Sequence, residues 1–172
     1  MKKPIIFSIF FILITSHNIL FACSTFLFSS DNSLFVGHNL DQDHLVPGYL
    51  VINKRGLQKS NISWMEIVRG KNENSKRIQW ISKYGSVTFN PGGGKEFPDG
   101  GLNEAGLVVC EMSLSETKYP QDSSAAKMFQ WQWIQYLLDN YGSVQEVIDH
   151  VNEFELSGFN WHFLLQIKQE VK

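Results

Sequence analysis

Cysteine, excess charge and long apolar runs are all scarce in this chain of 172 residues. There are two cysteines, Cys23 and Cys110, too few to imply a disulfide framework. Lysine and arginine number 15 against 17 acids, a net charge of −2. With no basic footprint, the chain is not expected to bind nucleic acid. The apolar run Ile5–Ile14 is about ten residues long, well short of the roughly 20 a spanning helix needs. No internal repeat or low-complexity block stands out.

That run reads instead as the core of a secretion leader. Lys2 and Lys3 precede it, Ser16, His17 and Asn18 break it, and Ala22 is a small residue before a cut. Residues 1–22 are therefore expected to be a signal peptide and residues 23–172 the mature domain. The product would be periplasmic or extracellular, with no stable membrane insertion after cleavage. Leu20, three residues before the cut, is large for signal peptidase, and Leu20-Phe21-Ala22-Cys23 partly resembles a lipoprotein box. In that alternative Cys23 is lipidated and acylated, and the chain is a lipid-anchored envelope protein. Lipidated cysteines precede polar tethers, however, whereas Ser24-Thr25-Phe26-Leu27-Phe28 reads as a strand.

Removing 22 of 172 residues leaves 150, enough for one sizeable core. It also makes Cys23 the first residue, with its free α-amine a few ångströms from its own sulfur. A free cysteine has a pKa of about 8.5 and an α-amine about 7.7–8.0, so near neutral pH the amine can accept the thiol proton. An N-terminal residue that pairs its amine with its own side chain is an established activated nucleophile. Cys110 reads as a small hydrophobe in a buried strand, although pairing with it in an oxidising compartment would disable Cys23.

The pattern along the mature chain is α+β. Thr25–Phe28 and Leu34–Asn39 are strands joined by the turn chemistry of Ser29–Ser33, a hairpin. Tyr49–Asn53, Arg77–Ser82, Ser86–Asn90, Leu107–Leu114 and Trp161–Ile167 are further strands. Residues 57–76 are polar and mixed, and the sequon-like Asn61-Ile62-Ser63 within them reads as plain loop. Asn90-Pro91-Gly92-Gly93-Gly94-Lys95 lacks the spacing of a phosphate loop, because Glu96 follows Lys95. Met128, Trp131, Ile134 and Leu138 have helical spacing and predict a helix over Lys127–Tyr141, stopped by Gly142. Ser143 and Glu146 form a capping box for a second helix with an apolar stripe of Val144, Val147, Ile148 and Val151.

Asp41 ends the second hairpin strand and comes back toward Cys23. It would either hold the α-amine or cap the strand end in a turn. A second kind of site is open to His38, Asp41, Asp43 and His44, all metal-competent within seven residues, but their spacing matches no familiar zinc box.

Cys23-Ser24-Thr25-Phe26, Gly37-His38-Asn39-Leu40-Asp41 and Gly101-Leu102-Asn103-Glu104-Ala105-Gly106-Leu107 together resemble the choloylglycine hydrolase and penicillin V acylase family, N-terminal-nucleophile (Ntn) hydrolases of linear amide C–N bonds. The likeness continues in order through Glu111-Met112, Tyr119-Pro120, Trp133–Asn140, Ser143–Ile148 and His162-Phe163-Leu164. It implies an αββα sandwich, here truncated to about its first half. It implies Cys23 as nucleophile and base, Asp41 beside the amine, and the backbone N–H of Ser113 as an oxyanion donor. Asn103 would serve the turn rather than the chemistry. His38 stands where penicillin V acylases carry arginine, and is assigned to substrate binding. The substrate would be a small-molecule amide of bile-salt, penicillin V or N-acyl amine type. No metal or organic cofactor is implied. The partner would be a complementing C-terminal half or a second copy; the alternative is an inactive remnant.

Overall fold

The computed structural model describes residues 23–167 apart from 31–32, 42–44, 72–75, 93 and 95–96. The expected leader and its cut therefore lie outside the described residues, as does the tip of the hairpin turn. The expected hairpin is present. Strands β1 (Ser24–Ser30) and β2 (Ser33–Asn39) pair antiparallel from Ser24 opposite Asn39 to Ser30 opposite Ser33. Phe26 sits across from Gly37, where a Cβ would overlap its ring, so the glycine is required by the aromatic neighbour.

The main sheet is antiparallel and five-stranded. Its members are β3 (Gly48–Asn53), β6 (Ser86–Pro91), β7 (Gly100–Asn103), β8 (Leu107–Ser113) and β11 (Trp161–Ile167), in the order β11-β8-β7-β6-β3. Two small ribbons flank it. One is β4 (Gln58–Ser60) with β5 (Gln79–Ile81), antiparallel; the other is β9 (Ala126–Phe129) with β10 (Phe154–Ser157), parallel. The helices are α1 (Trp64–Arg69), α2 (Gln130–Asn140) and α3 (Val144–Asp149).

Alternation divides the sheet into two faces. Leu107 and Val109 point to one face and pack with Ile134, Leu137 and Leu138 of α2 in the core. Leu50, Ile52, Phe89 and Leu102 share the opposite face and remain exposed, Ile52 at 76%. At Gly101 a Cβ would come within 2.6 Å of the Val87 carbonyl and 3.1 Å of Leu138. Neither the backbone nor the helix behind it can yield, so Gly101→Ala is expected to cost about 1–3 kcal/mol, read as a fall in the thermal midpoint.

The polar residues 57–76 contain β4 and α1, and Asn61-Ile62-Ser63 between them is loop, as expected. Ser63 caps α1 by accepting from the Glu66 N–H at 3.1 Å, and Gly70 closes it in the left-handed region at φ 61°. Asn61 is wholly buried. It accepts from the Ile78 N–H at 2.7 Å and donates to the Lys127 carbonyl at 2.8 Å, a structural staple within the loop.

The helix expected from Lys127 starts at Gln130, because Ala126–Phe129 pairs with β10 and Met128 is buried on a strand. Gly142 does not end that helix through a positive φ. The C-cap is Tyr141 in an extended conformation, and a Cβ at Gly142 would lie 2.9 Å from the Tyr84 hydroxyl. The capping box formed: the Ser143 hydroxyl accepts from the Glu146 N–H at 3.1 Å, and Glu146 accepts from the Ser143 N–H at 3.2 Å. The stripe expected on α3 formed in part: Val147 is buried and Val144 packs against the core, while Ile148 and Val151 are exposed.

Candidate active site

The hairpin register places Cys23 at the foot of β1. Ser24 lies opposite Asn39, so Cys23 falls level with Leu40 and one residue short of Asp41. Cys23 is half-buried and its thiol is free. The Asp41 carboxylate accepts from the Asn39 side-chain amide at 2.5 Å, which fixes it at the end of β2. Strand β1 lies against β8, the strand that ends at Ser113.

The N–H of Ser113 has a definite direction. Glu111 N–H donates toward Asp99 at 2.9 Å, while Leu114 N–H donates the other way, to Asn160 on the β11 side, at 3.1 Å. Successive N–H groups alternate along a strand, so Ser113 N–H points to the same side as Glu111's. It is also beyond the last β7–β8 pair, Gly100 opposite Cys110. The start of β1 and the end of β2 thus lie side by side, and β1 contacts β8.

His38 points elsewhere. It is the cross-strand partner of Thr25, whose hydroxyl lies 2.9 Å from its Nδ1. Its Nε2 is 3.7 Å from Oδ2 of Asp99, and the two side chains are 11% and 5% exposed. Asp99 and its neighbour Glu111 are buried carboxylates missing from the sequence-based expectations. The Asp99 backbone is held on both sides, its N–H donating to Phe89 at 3.0 Å and its carbonyl accepting from Glu111. Oδ1 of Asp99 and Oε2 of Glu111 have no hydrogen-bond partner, nor does Nε2 of His38. Burial, reinforced by the charge of Asp99, pushes the Glu111 carboxyl up to about 8. Burial, with a further push from Asp99, raises the Cys110 thiol to about 11 and keeps it protonated at neutral pH, as the buried-hydrophobe reading requires.

Asn103 serves the turn, as expected. Its carbonyl accepts from the Ala105 and Leu107 N–H groups at 3.1 and 3.0 Å, and its amide donates to the Leu138 and Tyr141 carbonyls at 3.0 and 2.7 Å. That ties the turn before β8 to the C-terminal end of α2.

An open apolar recess of about 230 Å³ adjoins this corner, lined by Leu40, Val46, Tyr49, Leu50, Phe89 and Asp99. It is smaller than the roughly 300 Å³ of an ordinary ligand site, and is better described as one wall of a pocket. A larger cavity of about 520 Å³, between Tyr119, Gln130 and Phe159, contains none of Cys23, His38, Asp41 and Ser113. Among the described residues no group of three or more histidine, cysteine or acidic side chains could hold a metal; Asp43 and His44 lie outside them. Among the described residues, too, no helix is long and apolar enough to cross a membrane.

No protein-family model matches the chain. A curated penicillin V acylase from Pectobacterium atrosepticum is 32% identical over 94 residues, 51% of this chain and 25% of that protein. Among solved structures, the penicillin V acylase from Agrobacterium tumefaciens aligns over 86% of this chain and 43% of its own, at 25% identity and a TM-score of 0.67. A conjugated bile acid hydrolase mutant from Clostridium perfringens shares the fold at a TM-score of 0.61, with 13% identity, over 85% of this chain and 45% of its own. The chain thus spans less than half the length of these solved structures and about a quarter of the curated relative.

Proposed function

We propose that the chain, similar over the span it shares to penicillin V acylases, belongs to the choloylglycine hydrolase and penicillin V acylase family and carries the nucleophile half of a secreted amidohydrolase. The observation that carries this reading is the hairpin register, which sets Cys23 beside the Asp41 end of β2 on a strand that contacts β8. Cleavage before Cys23 frees its α-amine. That amine takes the thiol proton as sulfur attacks the amide carbonyl. The oxyanion of the tetrahedral intermediate is met by the Ser113 N–H, a donor worth about 3–4 kcal/mol by analogy with side-chain donors. Collapse breaks the C–N bond, the leaving amine takes the proton from the ammonium, and an acyl thioester stays on Cys23. Water, deprotonated by the same amine, then releases the acid and restores the thiol. Asp41 holds the amine in place. No step calls for a metal or an organic cofactor.

The apolar recess beside Leu40 suits the acyl part of a small-molecule amide of penicillin V, bile-salt or N-acyl amine type. The exposed sheet face of Leu50, Ile52, Phe89 and Leu102 suits a complementing second half, which would also cover the edge strands. Without that half, slow turnover is the expectation, so the test reads a single acylation. The chain cleaved before Cys23 is incubated with penicillin V, quenched in acid and weighed intact. The expected result is a phenoxyacetyl adduct that Cys23→Ala does not form. A diacylglyceryl-modified Cys23 in the native product would overturn the reading. So would the absence of an adduct with all three substrate types.

A further inference from the structure

We propose that Asp99 is a positioning residue which, acting through His38, fixes the strand that carries Cys23. The inference rests on the acylation reading for its chemical purpose, but its geometry stands independently. Burying a carboxylate without satisfying it is costly, and Asp99 is buried with Oδ1 unpartnered. Its backbone is clamped between β6 and β8, so the carboxylate is a fixed point of the main sheet. Across a 3.7 Å gap stands Nε2 of His38, buried and without a hydrogen bond of its own. The other ring nitrogen meets Thr25, two residues from the nucleophile.

An imidazole held between two groups has its tautomer set by them. The carboxylate favours the proton on Nε2, leaving Nδ1 to accept from the Thr25 hydroxyl. The line Asp99–His38–Thr25 thus joins the rigid sheet to the open end of the hairpin through polar contacts. His38 is then a strut rather than a substrate ligand, because both of its nitrogens are turned to the protein. The same logic orients the histidine of a serine-protease triad through its aspartate, with the difference that this imidazole hands on position instead of a proton.

The experiment uses the chain cleaved before Cys23, with 15N-labelled histidine. Long-range 15N–1H spectra in alkaline buffer, assigned with His38→Gln, are expected to show His38 with its proton on Nε2. Asp99→Leu should turn it into a mixture, and Asp99→Asn, which keeps an acceptor oxygen, should restore most of the Nε2–H form. In parallel, S-alkylation of Cys23 by iodoacetamide should slow roughly 10- to 100-fold in Asp99→Leu, the scale of a small misplacement of a reacting group. Thr25→Val should slow it too, and the double variant should be no slower than the worse single one, as for groups acting in series.

A His38 tautomer unchanged in Asp99→Leu, or rate losses that multiply in the double variant, would overturn the proposal. If Asp99→Leu fails to fold, the comparison of Asp99→Asn with wild type decides by the same two readings: proton on Nε2 and near-normal alkylation support the strut, and a mixed tautomer with unchanged alkylation sinks it. Failure of the acylation reading looks different, for the tautomer and alkylation results would hold while no amide left an acyl group on Cys23.

Discussion

Alanine at position 139 is expected to cost about 3–5 kcal/mol, the scale for breaking a buried ion pair. Asp139 on α2 is fully buried and its carboxylate is saturated. It accepts from Lys59 Nζ at 2.9 and 3.1 Å, from the Trp80 indole at 2.8 Å and from the Gln135 amide at 2.9 Å. Lys59 lies on β4 and Trp80 on β5, so one side chain fastens the whole ribbon to the helix. Removing it strands a lysine that is 6% exposed, an indole N–H and a glutamine amide, none with water at hand. Against a total stability of about 5–15 kcal/mol for an ordinary domain, that loss should bring the urea midpoint close to the start of the titration. Asp139→Asn should lose less, since its carbonyl still accepts. Replacing the pair together, Lys59→Met with Asp139→Leu, should recover only part of the difference: no charge is left buried alone, but the Trp80 indole and the Gln135 amide still lose their acceptor. An Asp139→Ala midpoint within experimental error of wild type would refute the argument.

That network also shows why parts of the fold were hard to read from sequence. Of the residues with helical spacing, Trp131, Ile134 and Leu138 identified one face of α2. That spacing gave no hint that the opposite face is buried too, by glutamines. Gln132 accepts from the Ile62 N–H at 2.6 Å and donates to the Ser60 carbonyl at 2.9 Å, so the 57–63 segment folds over the helix through polar contacts that a hydrophobic pattern does not register. Strand β7, Gly100–Asn103, has no apolar alternation at all; the ladders on both sides of it make it a strand. Where local chemistry is sufficient, the sequence was legible. The hairpin, the Ser143 capping box and β11 all rest on residues adjacent in the chain.

The site divides in the same way. Cys23, His38 and Asp41 sit on one hairpin, and a pairing of neighbouring strands brings their backbones together. Asp99 and Glu111 approach it from another sheet, over separations of 61 and 73 residues from His38, and no spacing rule covers that. One signal was available: Glu111 is an acid inside the apolar run Leu107–Leu114. A charge where both faces of a strand are expected to be buried marks a group with a perturbed proton affinity.

Glu111 should therefore make the chain less stable as pH rises through neutrality. In the folded chain its carboxyl is pushed from an ordinary value near 4.5 up to about 8, chiefly by burial and secondarily by Asp99. Below about 4.5 both folded and unfolded forms hold the proton, and the group has no effect on pH dependence. Between 4.5 and 8 the unfolded chain has released it and the folded chain has not, so each unit of rising pH favours unfolding by about 1.4 kcal/mol. The accumulated loss is on the order of a few kcal/mol and levels off above pH 8. Glu111→Gln, with no proton to lose, should show a much flatter profile from pH 5 to 8 and should exceed wild type at pH 8. Urea midpoints of the two proteins at pH 5, 6, 7 and 8 measure the difference directly; parallel profiles would contradict it. The consequence for the proposed chemistry is a conflict of pH demands. An ordinary α-amine becomes an effective base only as pH approaches about 8, and that is where Glu111 ionises beside Asp99 and the strut that holds the nucleophile strand. A cation placed against the unpartnered oxygens of Asp99 and Glu111 would remove the conflict by lowering the cost of the second charge.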